Sequence, residues 1–307
     1  AAEPAGPPPD AMVIAGAGDI ILHGRVKATA DNQATSPSEE GDDGHAGWWH
    51  LFKHLVPVLA GAHVAVANLE TPIATERKKA SGRPPVLNGP AESLGAMKEA
   101  GFSMMSAGHS RDEAETPVFK EAGGIRAAFL AWTVTLNKNF NDVKTKHKPW
   151  VTVYKEEVAV EIVRKAREEA DLVVVSMHWG GEFDLKAGSK QKSIAKTLCK
   201  EGADIIFGHG PHVLHDVDIL EPDGEGGRRC LVAYSLGNLL SNQGLKYRYG
   251  WNPPNLEEAK KAFEHAFLLA YVKKNKGNLS AAARDAGTSR WNLYRKLGDA
   301  IASFRDD

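Results

Sequence analysis

Five short apolar runs, each followed at once by polar residues, set the tightest limit on how this chain folds. The runs are rich in valine, isoleucine and leucine, and their length is that of strands. They occupy residues 12–15, 63–67, 172–177, 204–207 and 230–234. Near-continuous apolar runs of this kind are typical of strands that are buried on both faces of a sheet. We therefore expect a covered sheet.

Helical segments separate these runs. The segment 156–170 places its apolar residues on one helical face and sets Glu161 four positions before Lys165, which is the spacing of a stabilising ion pair. Alternating strands and helices predict a layered α/β domain, which we assign to residues 12–246.

Polar residues that can bind a metal follow four of the predicted strands. They are Asp19, Glu70, His178 and His209. Taken singly, each is explained equally well as an unrelated loop residue. Ligands of open α/β sheets bind at the carboxyl ends of strands, so the four together favour convergence on one edge of the sheet.

The overall composition is that of a globular protein with one or two domains. The chain has 307 residues, 42% hydrophobic and 25% charged, and a formal net charge of −1. Such a balance excludes a global attraction to nucleic acid or to a membrane, so a DNA-binding surface would have to be local. No apolar run is long enough to span a bilayer, which predicts that there is no transmembrane segment.

The two cysteines and the N-terminal residues each leave two interpretations open. Cys199 and Cys230 do not form a zinc-binding pattern, and two buried free thiols are favoured over one disulfide. Residues 1–11 are rich in alanine and proline and predict a flexible lead-in. This start fits an exported protein whose signal peptide has been removed, and equally a trimmed chain.

Five motifs in a fixed order resemble those of a known family. They are 18–25 (GDIILHGR), 67–72 (ANLETP), 178–182 (HWGGE), 208–212 (GHGPH) and 234–238 (YSLGN). In this order they resemble the CapA family, which is associated with capsule and poly-γ-glutamate synthesis. The resemblance implies a fold similar to that of the calcineurin-like metallophosphatases.

The resemblance implies a site for one or two divalent metal ions. Two ions about 3.5–4 Å apart can bind both the attacking and the leaving oxygen of a hydrolysis. A mixed set of carboxylate, amide and imidazole ligands suits Mn, Fe or Zn better than Ca. The implied ligands are Asp19, Asn68, Glu70, His109, His178, His209 and His212.

The same resemblance assigns catalysis and substrate binding. His178 and Glu182 would be the catalytic residues, with Glu182 as a proton carrier or a supporting group. Arg25 and Asn238 would bind a substrate that carries phosphate or carboxylate groups. His23 fits a surface or supporting position better than a ligand. An active site of this kind would make the chain a metal-dependent, phosphoesterase-like hydrolase.

The chain departs from the family pattern around His109. The family has two asparagines before this histidine, where the chain has Ala107 and Gly108, and the domain is shortened near 109–113. An asparagine ligand would therefore be missing. Two interpretations remain: a metal site that survives the change, and a degenerate scaffold that has lost it.

The C-terminal residues have a different character. Residues 247–255 predict a linker, and residues 256–307 have only a helical period. Apolar stripes fall at 263, 267, 270 and 271, at 279, 282, 283 and 286, and at 293 and 297, which predicts three helices. Asn278 or Ser280 can cap the second helix, and Thr288 or Ser289 the third.

The strings 277–283 (GNLSAAA) and 287–297 (GTSRWNLYRKL) resemble a Fis-type helix-turn-helix domain. The resemblance implies a small all-α domain that binds double-stranded DNA and forms a homodimer through its first helix. From Lys273 to Lys296 there are seven basic residues and one acid, Asp285. The implied DNA contacts are Ser289, Arg290, Asn292, Tyr294, Arg295 and Lys296.

Two functions from different classes follow. The main interpretation is a CapA-like metal-binding protein that carries a DNA-binding domain and acts as a transcriptional regulator in the cytoplasm. The alternative is a metal-dependent hydrolase or capsule biosynthesis protein, exported or in the cell envelope, whose helical tail only oligomerises.

Overall fold

A computed structural model of the chain describes residues 10–35, 45–71, 73, 89–103, 111–136, 151–224, 226–241, 243, 256–298 and 300–301. The chain forms two compact units, with the boundary between residues 242 and 243. The predicted linker 247–255 and the predicted ligand His109 lie outside the described residues, so both stay predictions.

The described part of the first unit contains nine strands. They are β1 Ile14–Ile20, β2 Val64–Leu69, β3 Val118–Ala122, β4 Ile125–Thr133, β5 Leu172–His178, β6 Ile205–His209, β7 Val217–Leu220, β8 Cys230–Ala233 and β9 Asn238–Leu240. Five of them overlap the five apolar runs, which confirms that each run contributes to a strand, although β1 lies mostly beyond its predicted run. One sheet has the order β2-β1-β9 and the other the order β3-β4-β5-β6-β8-β7.

The described helices divide between the two units. They are α1 Arg25–Thr35, α2 Trp49–Phe52, α3 Val56–Leu59, α4 Glu92–Glu99, α5 Arg111–Glu115, α6 Glu156–Glu169 and α7 Ser189–Glu201 in the first unit, and α8 Leu256–Lys274, α9 Leu279–Asp285 and α10 Arg290–Leu297 in the second. In α6, Lys165 Nζ lies 2.7 Å from Glu161 Oε1, as the spacing predicts. None of the described helices is long and apolar enough to cross a membrane.

Alternating side chains assign the two faces of each sheet to different cores. On β5, Val173 packs in a core covered by α6 and α7, whereas Val174 packs in a core between the two sheets. On β2, Val64 faces the six-stranded sheet, whereas Ala65 packs with residues of α1, α2 and α4. The unit is therefore layered as helices, sheet, sheet and helices, which confirms the predicted layered α/β architecture.

The second unit is a small helical body with its own core. This core consists of Leu268, Val272, Leu279, Ala282, Ala283, Leu293, Leu297 and Ile301. Asn278 and Ser289 cap α9 and α10 by accepting hydrogen bonds from the backbone nitrogens of Ala281 and Asn292, each at 3.1 Å. Three helices with these caps agree with the sequence analysis.

The predicted inner stripe of the first C-terminal helix is wrong in part. Phe267 is 43% exposed, whereas Leu268 and Val272 face the core. Helix α8 carries apolar residues on more than one face, so their spacing alone does not select the buried one.

The expectation of two free thiols is wrong. Cys199 of α7 and Cys230 of β8 are joined by a disulfide, and both residues are buried. The two side chains meet because α7 packs on the face of the sheet to which Cys230 points. Their sequence positions, 31 residues apart, do not reveal this packing.

Candidate metal centre

Parallel pairing brings polar strand ends of the six-stranded sheet side by side. Thr133 at the end of β4 pairs in register with His178 at the end of β5, and His178 pairs with His209 at the end of β6. Buried apolar residues precede each of the three in its strand, so the strands end in register and present polar side chains at one edge.

The three-stranded sheet contributes carboxylate and amide groups. Asp19 near the end of β1 pairs in register with Asn68 on β2 and with Asn238 on β9, and Glu70 directly follows β2. The two sheets meet here, because His209 Nδ1 lies 3.3 Å from Asp19 Oδ1. The predicted convergence of strand-end residues is therefore present.

Asp19 is the fully buried centre of the cluster. Its Oδ1 accepts a hydrogen bond from Asn68 Nδ2 at 2.9 Å, and its Oδ2 accepts one from Gly210 N at 3.2 Å and lies 3.1 Å from His212 Nδ1. Burial alone would raise the pKa of Asp19, but the adjacent imidazoles of His209 and His212 and the hydrogen bond of Asn68 hold that pKa well below its ordinary value. Asp19 is therefore an ionised carboxylate at neutral pH.

Glu70, which follows β2 of the three-stranded sheet, lies near two histidines at the edge of the six-stranded sheet. Its Oε1 lies 3.4 Å from His178 Nε2, and its Oε2 lies 3.7 Å from His212 Nδ1. Asp19, Glu70 and His212 each offer a ligand atom within 4.8 Å of the other two. This triad is a candidate site for a metal ion.

Unpaired buried atoms test whether a metal fits this cluster. Among the described residues, the buried atoms at this edge without a hydrogen-bond partner are His23 Nε2, Glu70 Oε2, His178 Nε2, His209 Nδ1 and His209 Nε2. Unsatisfied buried polar atoms are rare in native proteins. All of them are imidazole nitrogens or carboxylate oxygens, the donors that bind Mn, Zn and Fe. The residues therefore fit a divalent metal.

His212 has an unusual backbone that its hydrogen bonds hold in place. Its φ of 61° lies in the left-handed region, which is rare for residues other than glycine. Nδ1 lies 3.1 Å from Asp19 Oδ2 and 3.0 Å from Asn238 Oδ1. Burial lowers the pKa of His212, but the Asp19 hydrogen bond and the charge of Glu70 outweigh it and raise that pKa. Backbone strain of this kind is concentrated at functional sites.

The other predicted site residues occupy two kinds of position. Asn68 and Asn238 lie within the cluster, where each hydrogen-bonds a candidate ligand. Arg25, the first residue of α1, and Glu182, in the loop after β5, are both exposed. Their roles in substrate binding and proton transfer stay predictions.

Two further residues belong to the site. His23 is half-buried, and burial lowers its pKa although the charge of Glu70 opposes this effect. The sequence feature that could have indicated His23 as a site residue is its position four residues after Asp19, just beyond the strand. Thr133 hydrogen-bonds the ring of His178, and the sequence feature that could have indicated it is the apolar run 127–132 that it follows.

The predicted DNA-contact residues of α10 differ in their surroundings. Arg290 and Arg295 are exposed, and the Arg295 guanidinium lies 5.0 Å from the ring of Trp291, which is 68% exposed. Lys296 forms an ion pair of 2.5 Å with Glu264. In addition, Asn292 bonds to Thr288 and Arg295, Ser289 caps the helix, and Tyr294 accepts from Arg290.

The part of the chain that matches a known protein family is the first unit. Residues 13–109 and 106–243 match the sequence model of a family described as bacterial capsule synthesis protein PGA_cap. The match ends at residue 243, where the second unit begins. Its two segments meet near His109, where the sequence departs from the family pattern.

Two curated relatives and one solved structure are similar to the chain. The capsule biosynthesis protein CapA of Bacillus anthracis is 27% identical over 74% of the chain and 59% of its own length. The PGA biosynthesis protein CapA of Bacillus subtilis (strain 168) is 30% identical over 72% of the chain and 58% of its own length. The chain thus spans less than two thirds of either relative.

The solved structure is a hypothetical protein from Thermus thermophilus. It is 15% identical, covers 79% of this chain and 87% of its own, and has a TM-score of 0.43, too low to support an argument about fold or function. The family match and the two curated relatives carry the identification. On the strength of the match from residue 13 to residue 243, the chain belongs to the bacterial capsule synthesis protein family PGA_cap.

Proposed function

We propose that the first unit is a metal-dependent hydrolase of metallophosphatase type that acts in the synthesis of a capsule polymer such as poly-γ-glutamate. The observation that carries the proposal is the buried cluster of unpaired imidazole and carboxylate atoms around Asp19. The names of the two relatives, a capsule biosynthesis protein and a PGA biosynthesis protein, support a role in capsule polymer synthesis.

The residues of the cluster would have two different roles at such a site. Asp19, Glu70, His178, His209 and His212 would hold one or two ions of Mn, Zn or Fe. When bound, such an ion supplies a Lewis acid and lowers the pKa of a bound water. Asn68 holds the Asp19 carboxylate, and Asn238 holds the His212 ring, at 2.9 and 3.0 Å. These bonds fix the ligands before metal arrives, which lowers the cost of ordering them.

Unequal exposure of the candidate ligands favours one side of the cluster for substrate access. The side chains of His178 and Glu70 are 27% and 26% exposed, whereas those of His209 and Asp19 are 1% and 0% exposed. A substrate therefore approaches over His178 and Glu70. We propose that it carries a phosphate or carboxylate group, because a cationic centre binds anionic oxygens.

The disulfide supports a location outside the cytoplasm. Cys199 and Cys230 are bonded, and disulfides persist chiefly in oxidising compartments. Since the relatives act in capsule synthesis by name, we propose the exported or cell-envelope location rather than the cytoplasmic one.

The first experiment measures metal binding. Metal-free protein is dialysed against Mn²⁺ or Zn²⁺, and bound metal is measured by mass spectrometry for wild type, His209→Ala and His54→Ala. His54 is an exposed histidine of the same unit and controls for loss of an imidazole. We expect one or two ions in wild type and His54→Ala and a loss of metal in His209→Ala. Equal metal content in all three proteins would refute the site.

The second experiment separates hydrolysis from mere metal binding. The loaded protein is assayed with p-nitrophenyl phosphate, with bis-p-nitrophenyl phosphate and with γ-glutamyl p-nitroanilide. Turnover of any of them that requires both metal and His178 would support the hydrolase. Metal binding without turnover of any of the three would contradict the hydrolase and leave a metal-binding scaffold.

We propose duplex DNA binding as a second candidate function, for the second unit alone. It is favoured by the exposure of Arg290 and Arg295 on a helix that Ser289 caps. The comparisons give it no support, because the family match ends before this unit. The paired Lys296 and the disulfide of the first unit both weigh against it.

A mobility-shift titration tests this candidate. Removing phosphate contacts weakens binding and reduces its salt dependence, so Arg290→Ala with Arg295→Ala should abolish the shift. A control with Lys190→Ala and Lys192→Ala removes the same charge from α7 of the first unit. A chain that sediments as a dimer and shifts no duplex would instead favour the oligomerising tail.

A further inference from the structure

The hydroxyl of Thr133 makes two contacts that together determine where the proton of His178 lies. Thr133 Oγ1 is 2.7 Å from the carbonyl oxygen of Thr135 and 3.1 Å from His178 Nδ1. A carbonyl oxygen has no proton to donate, so the Thr133 hydroxyl must donate its single proton to Thr135. Toward His178, Thr133 Oγ1 can then act only as an acceptor.

An acceptor at Nδ1 selects one of the two neutral forms of the imidazole. Nδ1 of His178 must carry the proton that it donates to Thr133, and Nε2 is then left with its lone pair. His178 Nε2 is buried, has no hydrogen-bond partner among the described residues, and lies 3.4 Å from Glu70 Oε1. The lone pair therefore faces the Glu70 carboxylate of the candidate metal centre.

The fold holds Thr133 firmly in this role. Thr133 is 7% exposed and pairs in register with His178 across β4 and β5. Its backbone nitrogen donates to Thr152 O, and its carbonyl oxygen accepts from Tyr154 N. The segment 152–154 therefore fixes both backbone polar groups of Thr133. Its hydroxyl cannot turn away without leaving Thr135 O or His178 Nδ1 unpaired.

We propose that Thr133 is a positioning residue that holds His178 as the Nδ1–H tautomer and thereby presents Nε2 to the metal centre. The purpose of this arrangement rests on the proposed metal-dependent function. The tautomer itself is a property of the metal-free chain and can be measured without any metal or substrate.

The imidazole ¹⁵N signals of metal-free protein labelled at histidine test the proposal directly. The spectrum is recorded at about pH 8, where an imidazole of ordinary pKa is neutral. His63 is an internal reference of the opposite kind, because its Nδ1 accepts a hydrogen bond from Val13 N at 3.0 Å and so cannot carry the proton. We expect the Nδ1–H form for His178 and the Nε2–H form for His63.

Two variants isolate the hydroxyl. Thr133→Val keeps the shape of the side chain and the strand preference but removes the hydroxyl, whereas Thr133→Ser keeps the hydroxyl. In Thr133→Val, we expect the proton of His178 to move to Nε2, where Glu70 Oε1 can accept it. Thr133→Ser should retain the wild-type tautomer, and His63 should be unchanged in both variants.

Metal affinity gives the second readout. Loss of a group that orients a metal-binding histidine typically costs 10–100-fold in affinity. We expect the dissociation constant for Zn²⁺ to rise about 10–100-fold in Thr133→Val and to stay near the wild-type value in Thr133→Ser.

The outcomes are distinguishable from those of the proposed function. A wild-type His178 with its proton on Nε2 overturns the inference, whether or not any variant folds. A Thr133→Val spectrum identical to that of wild type also overturns it. A wild type that binds no metal but shows the expected tautomers refutes the proposed function and leaves intact only the inference that Thr133 holds the His178 tautomer.

Discussion

The unpaired buried atoms described in the first unit include two contrasting groups. Those of His178, His209 and Glu70 lie beside the candidate metal centre, where bound cations would satisfy them. The hydroxyl of Tyr154 is also buried without a described partner, and no carboxylate–imidazole cluster of the described residues surrounds it. The first group indicates function, whereas the second indicates a local cost in stability.

Replacing Tyr154 by phenylalanine should therefore stabilise the protein. A buried polar group without a partner costs about 1–3 kcal/mol, and phenylalanine keeps the ring while removing that group. We expect the free energy of unfolding in urea at neutral pH to rise by about 1 kcal/mol. Tyr234→Phe is the contrasting variant, because the Tyr234 hydroxyl hydrogen-bonds Asp218, and it should lose stability. A loss in both variants would contradict the prediction.

The same residue predicts a dependence on alkaline pH. Burial, with the charges of Glu156 and Glu157, raises the pKa of Tyr154 to about 12, above the value of about 10 in an unfolded chain. The neutral hydroxyl is thus favoured by the folded state. The stability that the folded state gains from this raised pKa is fully present below pH 10 and is lost as the pH rises toward 12. Urea midpoints from pH 9 to pH 12 should therefore fall less steeply for Tyr154→Phe than for wild type.

The sequence predicts site residues through two signals. The ordered motifs indicate Asn68, His212 and Asn238, which lie in the cluster, and the strand ends indicate four others. Asp19, Glu70, His178 and His209 follow apolar runs, and the structure brings them together. The disulfide could not be predicted, because the approach of Cys199 to Cys230 depends on how α7 packs.

At the scale of elements, most buried strands are predictable and short edge strands are not. The exception is β4, a long buried strand that the five predicted runs do not include. β5 and β6 are continuous apolar runs, whereas β7 has four residues at a sheet edge and β9 has three. Edge strands have few buried positions, so they leave a weak pattern in the sequence. The buried face of α8 was also ambiguous, because it depends on packing against α9 and α10.

Close contact between β6 and its neighbours depends on Gly208. A Cβ at this position would lie 2.2 Å from the backbone oxygen of Tyr234 and 2.7 Å from Trp179 Nε1. The Trp179 nitrogen donates to that same oxygen at 2.9 Å, so the added atom would break the bond and separate the strands.

Gly208→Ala should accordingly lower the free energy of unfolding by about 3 kcal/mol or more, as overpacking against fixed backbone does. Gly61→Ala is the matched control, because a Cβ there meets no atom within 4 Å, and it should change stability by less than about 0.5 kcal/mol. Equal urea midpoints for the two variants would contradict the close approach.

At the scale of the whole molecule, the family match and the two compact units divide the chain at the same place. The first unit carries the ordered motifs and the candidate metal-binding cluster, and the described part of the second carries neither. The layered architecture of the first unit followed from its strand pattern. The function of the second unit does not follow from its helices, since small helical bodies serve in both DNA binding and oligomerisation.

The disulfide should contribute strongly to the stability of the first unit. It closes a loop between positions 31 residues apart, and constraining such a loop in the unfolded chain stabilises the folded state by about 3–4 kcal/mol. We expect the variant Cys199→Ala with Cys230→Ala to lose about this free energy of unfolding in urea. Reductant should lower the wild type to the level of the variant and leave the variant unchanged. A wild type unaffected by reduction would contradict the contribution.

The ring of chain that this disulfide closes contains both His209 and His212. The turn at 221–224, which follows β7, is largely exposed and lies within the same ring. A protease that cuts in this turn opens the ring but releases neither histidine, because Cys199 and Cys230 still join the two fragments. The nicked molecule should run on a denaturing gel as one species until reductant separates it into two.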